Sequence, residues 1–314
     1  MKHRLYFWVE RYLFYPNGFQ RALSFLLLPF SLLYCSVVIL RRKFARAKNY
    51  GIPVISVGNL IVGGSGKTPF TIALAQRLHE DEELDIAIVL RGYGRNSRGL
   101  IVVSQNGVIM SDVDKSGDEA MLLARSLPHA TVIVSEDRGR GIEKAKELGA
   151  EVVILDDGFS KTNIMKFDIL LKPSFLFKNR FCLPAGPFRE PPSLYRKADL
   201  TAVENVDFTR HVKIIDRTER MVLVTAISKP QRLEKFVPPF IERVYFPDHY
   251  RFQERELAKI LREHNADSIL TTQKDAVKME GFRIDLSILA LEIVLSDHIV
   301  ERVKKYINNF GKIS

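Results

Sequence analysis

Three features of this 314-residue chain predict an α/β fold. An apolar, β-branched run over residues 52–57 empties into the glycine-rich turn Gly63-Gly64-Ser65-Gly66-Lys67-Thr68. Apolar strands then alternate with helix-period segments as far as residue 155, the pattern of a parallel sheet with right-handed crossovers. Shorter strand and helix units resume beyond a stretch from 173 to 192 that holds five prolines. The prediction is a P-loop NTPase-like parallel sheet flanked by helices, with a second, smaller α/β domain after it. An N-terminal membrane-associating helical segment precedes both. The expected boundaries are 1–50, 51–165 and 166–314, with the last helix able to pack back on the first domain.

The amino-terminal segment is set apart by charge. The whole chain carries a net +10, yet residues 1–50 alone contribute nine Lys/Arg against Glu10. That concentration argues against a nucleic-acid surface spread over the chain. The same fifty residues hold twelve aromatics, Trp8 among them, and a nineteen-residue uncharged run from 22 to 40. Arg21 precedes that run and Arg41-Arg42-Lys43 follows it. Basic and aromatic flanks around an apolar stretch suit a bilayer surface. Pro29, three serines and positive charge on both sides favour a monotopic anchor over a single span. A buried helical hairpin is the other alternative. No small-x-small cleavage site comes before the Arg/Lys cluster, which argues against a signal peptide.

At about 150 residues per domain the length suggests two domains, and 46% hydrophobic residues supply a sizeable core. Only Cys35 and Cys182 occur, so no disulfide framework is expected and a reducing cytosol is the default. No CxxC pair or His/Cys cluster offers a structural metal site.

Taken in order, strands are expected at 52–57, 85–90, 131–134 and 152–155, with helices at 67–79, 118–125 and 138–148. The second domain is expected to hold strands at 200–203, 221–225, 244–246 and 268–270 and a helix at 254–264.

The chemistry-bearing residues fall at strand ends, where open α/β sheets gather ligands. Ile61, Val62, Gly63, Gly64, Ser65, Gly66, Lys67 and Thr68 form a candidate nucleotide phosphate cradle. The glycines let several N–H groups point at one anion, Lys67 adds a charge for the β- and γ-phosphates, and Thr68 can ligate Mg²⁺. Ile61 stands where G-x-x-x-x-G-K-[ST] has its first glycine. The 152–155 strand ends in Asp156 and Asp157, candidate metal ligands together with Thr68, and Asp156 directly terminates the apolar run. Asp118 opens a helix after Ser116-Gly117 and is either an N-cap or the carboxylate that accepts a hydroxyl proton. His249, beside Asp248, could orient or tune such a base. Arg91, Tyr93, Arg95 and Arg98 make a basic loop, and Arg138 follows Ser135-Glu136-Asp137. Arginine forks at strand ends fit phosphate oxygens.

Together these segments resemble the tetraacyldisaccharide 4′-kinase family. The matching pieces run in order from 54 to 275. First come Val54-Ile55-Ser56-Val57-Gly58-Asn59-Leu60 with the glycine-rich turn, Arg91-Gly92-Tyr93, Gly117-Asp118-Glu119 and Ser135-Glu136-Asp137-Arg138. Then follow Leu155-Asp156-Asp157-Gly158-Phe159, Leu183-Pro184-Ala185-Gly186 with Arg189-Glu190-Pro191, Phe246-Pro247-Asp248-His249-Tyr250, and Leu270-Thr271-Thr272 with Lys274-Asp275. The family shares the missing first glycine.

The resemblance implies transfer of the ATP γ-phosphoryl group, with Mg²⁺, to the 4′-hydroxyl of tetraacyldisaccharide 1-phosphate, giving lipid IVA. It implies Asp118 and His249 as the catalytic pair beside Lys67, with Asp157 the other candidate for the base, and it adds Arg189 to the substrate or phosphate candidates. It also implies a monomer at the cytoplasmic leaflet of the inner membrane, with a lipid disaccharide substrate and no nucleic acid. Two departures stand out. Ser160-Lys161 replaces the usual Gln-His, and the region from 222 to 236 lacks a glycine-rich turn.

A membrane-associated P-loop GTPase is the rival reading. Thr272-Gln273-Lys274-Asp275 fits a loose guanine pattern and Asp114-Lys115-Ser116-Gly117 fits DxxG. A catalytically idle, membrane-tethered binding module is the third.

Overall fold

The structure is a computed structural model and describes residues 2–63, 65–174, 177, 179–227, 230–239 and 241–312. Three helices open it: α1 (Lys2–Phe14), α2 (Gly18–Leu26) and α3 (Leu28–Phe44). Asn17 starts α2 with a capping box, accepting from the Gln20 N–H at 2.9 Å while Gln20 Oε1 accepts from the Asn17 N–H at 3.2 Å. The uncharged run is therefore broken. Helices α2 and α3 meet with a 55° bend, and among the described residues no single helix is long and apolar enough to cross a membrane.

These helices stand on the proline-rich segment. The Ser31 hydroxyl donates to Cys182 O (2.8 Å), Tyr12 to Pro184 O (2.9 Å) and Tyr34 to Arg189 O (2.7 Å). Arg42 Nε donates to Glu190 Oε2 at 2.7 Å, and its guanidinium lies over the Phe159 ring. The Leu-Pro-Ala-Gly turn is tight, because a Cβ on Gly186 would run into the Phe181 carbonyl and the Asn179 side chain. One expectation is corrected here. Cys35 on α3 and Cys182 on this shelf, 147 residues apart in sequence, are joined as a disulfide. The docking of α3 on the shelf brings the two sulfurs together, and cysteine spacing carries no trace of that.

The large sheet follows: β1 (Val54–Gly58), α4 (Lys67–Glu82), β2 (Ile86–Leu90), β3 (Ile101–Gln105), β4 (Val108–Ile109), α5 (Val113–Ser116), α6 (Asp118–Ser126), β5 (Thr131–Val134), α7 (Arg138–Glu147), β6 (Val152–Asp156), β7 (Phe167–Lys172) and β8 (Leu200–Val203). The strand order is β4-β3-β5-β2-β6-β1-β7-β8. From β5 to β8 every pair is parallel, and β1, β2, β5 and β6 are buried along their whole length, as strands covered on both faces must be. Helices α4 and α6 cover one face, and α7 covers the other through Ile142 and Ala145. The β3–β4 hairpin, unforeseen above, turns at Asn106-Gly107, both with positive φ.

The remaining elements are β9 (Phe208–Ile215), β10 (Met221–Thr225), β11 (Glu242–Tyr245), α8 (Glu254–Glu263), β12 (Ser268–Thr272), α9 (Gln273–Ala276), β13 (Leu286–Leu295) and α10 (Asp297–Asn309). A second sheet takes the order β11-β10-β12-β13-β9, parallel except where β9 runs against β13. The large sheet extends past residue 165, so the strand at 200–203 is its edge and not part of the small sheet. The β9–β13 ribbon leads back to the large sheet. Phe208, Ile293 and Leu295 enter its core beside Ile299, Val300 and Val303 of α10. Lys304 of α10 then pairs with Asp81 (3.1 Å) and Glu82 (2.8 Å) at the end of α4.

Candidate active site

Because β1, β2, β5 and β6 are parallel, their carboxyl ends open along one rim. The 58–68 loop leaves β1 there. Its first half is structural: Ile61 is buried and bridges Phe188, Val62 N–H donates to Pro187 O (2.9 Å), and Arg189 N–H donates to Leu60 O (2.7 Å). Isoleucine replaces glycine at 61 because that position packs into the cluster of Leu60, Phe159 and Phe188. Gly63 and Gly66 both take positive φ, +88° and +80°, which suits them to turn the chain ahead of α4. Gly64 lies outside the described residues. Lys67 Nζ reaches Asn59 Oδ1 at 3.4 Å and Asp157 Oδ1 at 3.8 Å.

The two acids after β6 are treated differently. Asp156 is buried, its Oδ2 accepts the Thr68 hydroxyl at 2.8 Å, and its Oδ1 has no hydrogen-bond partner. Burial, together with nearby Glu119, pushes its carboxyl up to about 7. Asp157 is gripped by Arg189, with Nη1 to Oδ2 at 3.1 Å and Nη2 to Oδ1 at 2.9 Å. Burial opposes its ionisation, but Lys67 and Arg189 hold it below the usual carboxylate range.

The arginines divide in the same way. Arg95 is paired with Glu136 and donates to Gly99 O, so it shapes the loop. Arg189 is likewise committed, to Asp157 and Asn59. Arg91 lies over the Tyr93 ring, at 5.0 Å from the centroid, with Tyr93 half-exposed. Arg138 is buried at the start of α7, and burial lowers its pKa. Lys161, at the departure from the family pattern, is lowered by burial and by the facing Arg138, Arg91 and Arg41. Lys161 therefore lies in the field of three arginines.

On the other side of the rim, Asp118 opens α6 and is 3% exposed. His249 Nδ1–H donates to Asp118 Oδ2 at 3.0 Å across 131 residues. Burial opposes ionisation of Asp118, yet His249 and Lys274 outweigh it and hold the carboxyl below its ordinary value. That hydrogen bond in turn raises His249, against burial and Lys274. His249 sits at φ +60°, in the left-handed region that non-glycine residues uncommonly adopt. Its N–H is held by Ala226 O (3.2 Å) and Asp248 Oδ1 (3.1 Å).

Sequence reasoning passed over Lys274 as a site residue, although its ammonium lies 3.5 Å from Asp118 Oδ2. The signal was present in the Thr-Thr-Gln-Lys-Asp string. The guanine reading of that string fails geometrically. Asp275 is fully buried, its Oδ2 accepting from the Thr225 hydroxyl (2.6 Å), Ala226 N–H (3.0 Å) and Thr272 hydroxyl (3.0 Å) and its Oδ1 paired with Lys278 (2.7 Å), which leaves no carboxylate for a guanine base. Asp114 of the DxxG string pairs with Arg251 at 2.9 Å.

Comparison with known proteins shows the family to which the chain belongs. A family model described as Tetraacyldisaccharide-1-P 4′-kinase matches residues 23–218 and 204–308. A protein of Aliarcobacter butzleri (strain RM4018) named tetraacyldisaccharide 4′-kinase is 48% identical over 319 residues, covering 99% of this chain and all of its own. Proteins of the same name from Helicobacter pylori (strain ATCC 700392 / 26695) and Campylobacter jejuni subsp. jejuni serotype O:2 are each 44% identical. The first covers 96% of this chain and 95% of its own, and the second covers 96% of both. The crystal structure of the "apo" form of LpxK from Aquifex aeolicus in complex with ATP is 30% identical. It superposes with a TM-score of 0.74, covering 91% of this chain and 99% of that one.

Proposed function

The chain belongs to the tetraacyldisaccharide 4′-kinase family, and from that premise we propose how its residues share the reaction. It is an ATP-dependent kinase of the lipid A precursor, moving the γ-phosphoryl group to the 4′-hydroxyl of tetraacyldisaccharide 1-phosphate to give lipid IVA. The observation that carries the site reading is the 3.0 Å contact of Asp118 with His249 on the rim that also holds Lys67, Thr68 and Asp156.

In this reading the 63–68 turn is the phosphate loop of a P-loop fold, supported from behind by Ile61 and Val62. Lys67 has only long contacts and moves onto the β- and γ-phosphates. Thr68 and Asp156 are the residues that would hold Mg²⁺. The buried Asp156 Oδ1 without a partner, next to a threonine hydroxyl, is the oxygen set such an ion takes. When bound, Mg²⁺ neutralises charge on the transferring phosphate oxygens. Asp157 supports the loop through Arg189 and Lys67 in place of ligating directly.

Asp118, ionised and oriented by His249, accepts the proton of the 4′-hydroxyl. As it does so the hydroxyl oxygen bonds the γ-phosphorus, the bridging β–γ bond breaks, and ADP takes the electron pair. Arg91, Tyr93 and Arg138, with Lys161 in place of the family histidine, face the 1-phosphate of the acceptor. Arg95 and Arg189 fix the loops that carry them.

The protein works as a monomer on the cytoplasmic leaflet of the inner membrane. Phe19, Phe25, Leu26, Phe30, Leu33 and Phe44 are exposed on α2 and α3 beside a basic cluster, which supports a monotopic anchor. Full-length protein, γ-labelled ATP and tetraacyldisaccharide 1-phosphate in mixed micelles test the reading. Labelled lipid is expected, and label taken only from GTP, or none with ATP, would overturn it.

A further inference from the structure

Helix α9 has no part in the reaction as proposed so far, yet it lies against the start of α6 where Asp118 sits. Its Lys274 ammonium is surrounded by three carboxylates: Asp118 Oδ2 at 3.5 Å, Glu119 Oε1 at 3.8 Å and Asp248 Oδ1 at 3.8 Å. Asp118 and Glu119 belong to the large-sheet side of the rim, and Asp248 and Lys274 to the small-sheet side. The next residue, Asp275, reaches the other half of the pair. It binds the Ala226 N–H, and the Ala226 carbonyl in turn accepts the His249 N–H. Thr272 caps this short turn by accepting from the Asp275 N–H at 3.2 Å. One four-residue helix therefore touches Asp118 directly and His249 through a single peptide.

We propose that Lys274 is a positioning residue for phosphoryl transfer, its ammonium clamping Asp118 from the small-sheet side so that His249 and the acceptor hydroxyl meet the carboxylate in register. The proposal rests on Asp118 being the base. Two physical consequences separate this from simple charge balance among surface acids. Asp118 Oδ2 is shared between His249 and Lys274, so its orientation depends on both. The charged groups facing Asp118 are His249, Lys274 and Lys278, and those facing Lys274 are Asp118, Glu119, Asp248 and Asp275. Removing the ammonium leaves one fewer cation on the pair, so both Asp118 and His249 hold their protons to higher pH.

The test uses the full chain with Lys274→Gln, which keeps a donor without charge, Lys274→Met as a second variant, and Lys274→Arg as the conservative one. Two readouts are taken. The His249 imidazole is titrated by NMR, its signal assigned by loss in His249→Gln. Its midpoint is expected to rise by about one pH unit in Lys274→Gln and to return in Lys274→Arg. In lipid phosphorylation kcat is expected to fall by about 10- to 100-fold, with KM for ATP changed by less than about threefold. A folded Gln or Met variant that keeps the wild-type His249 midpoint and kcat overturns the proposal. So does an Arg variant as impaired as Gln in both. Wild-type protein that transfers no phosphate to lipid would instead sink the kinase reading, since the histidine titration is read without turnover.

Discussion

At the residue scale the division of labour among acids decides the chemistry. Asp118, Asp156 and Asp157 are all carboxylates at strand or helix ends, but their neighbours set them apart. Asp118 is buried against His249 and Lys274, which hold its carboxyl below the ordinary value, as the proposed base requires. Asp118→Asn is expected to cut kcat by about 10²–10⁴-fold while leaving ATP binding, followed by calorimetry, close to wild type. Asp156→Asn should spare fold and lipid binding but raise the Mg²⁺ concentration needed for half-maximal rate. The pH dependence of stability follows from the same depressed carboxyl. A group held below its ordinary value stabilises the fold above that value, and the gain is lost as pH falls through the folded-state value. The melting-temperature gap between wild type and Asp118→Asn should therefore be wide at neutral pH and close below about pH 4. Much of this site was legible in the sequence. Asp118, Asp156, Lys67 and Thr68 could be picked out because each sits next to a strand or turn that announces itself locally. The string around Lys274 was visible too, but the placement of its ammonium was not, because the carboxylates around it lie 155, 156 and 26 positions away.

At the element scale the instructive pieces are α1–α3 and the shelf beneath them. Sequence pattern correctly marked an apolar, basic-flanked segment, but it could not show that Leu27 breaks the run into two helices at 55°. The break leaves two short exposed apolar faces, on which the proposed monotopic anchor rests. If α2 and α3 form that anchor, Phe25→Glu with Leu33→Glu removes two exposed apolar side chains, each worth about 1.5–3 kcal/mol when buried in lipid. Vesicle partition should weaken by about a hundredfold or more in a flotation assay, with the far-ultraviolet circular dichroism unchanged. The Leu-Pro-Ala-Gly motif also acquires a physical reason at this scale. Gly186 leaves no room for a Cβ beside Phe181 O, and the turn it allows presents carbonyls to Tyr12 and Ser31. Gly186→Ala should destabilise the protein by about 1–3 kcal/mol in urea melts. The disulfide between Cys35 and Cys182 belongs here too, since it fastens α3 to that same shelf.

At the scale of the whole molecule, two sheets face one rim and a ribbon joins them. Strands β9 and β13 pass from the small sheet into the core of the large one, and α10 locks onto α4. Asp118 and His249 meet only because that ribbon holds the sheets in this relation. If Mg²⁺ and ATP bind only the folded chain, as the proposed site requires, a hundredfold excess over Kd should stabilise the fold by about 2.7 kcal/mol. Thermal melts should show that rise with ATP and not with GTP. Sequence by itself determined the alternating parallel sheet, the glycine-rich turn after its first strand, the acids that end its strands and the basic apolar amino end. Each is written in local periodicity or in a contiguous motif, where neighbours in the chain are neighbours in space. Only the tertiary structure decided that β7 and β8 complete the large sheet, that Cys35 meets Cys182, that Asp275 is buried away from any base, and that Lys274 stands over Asp118. Those facts depend on long-range packing, in which the chain separation of two residues says nothing about their distance.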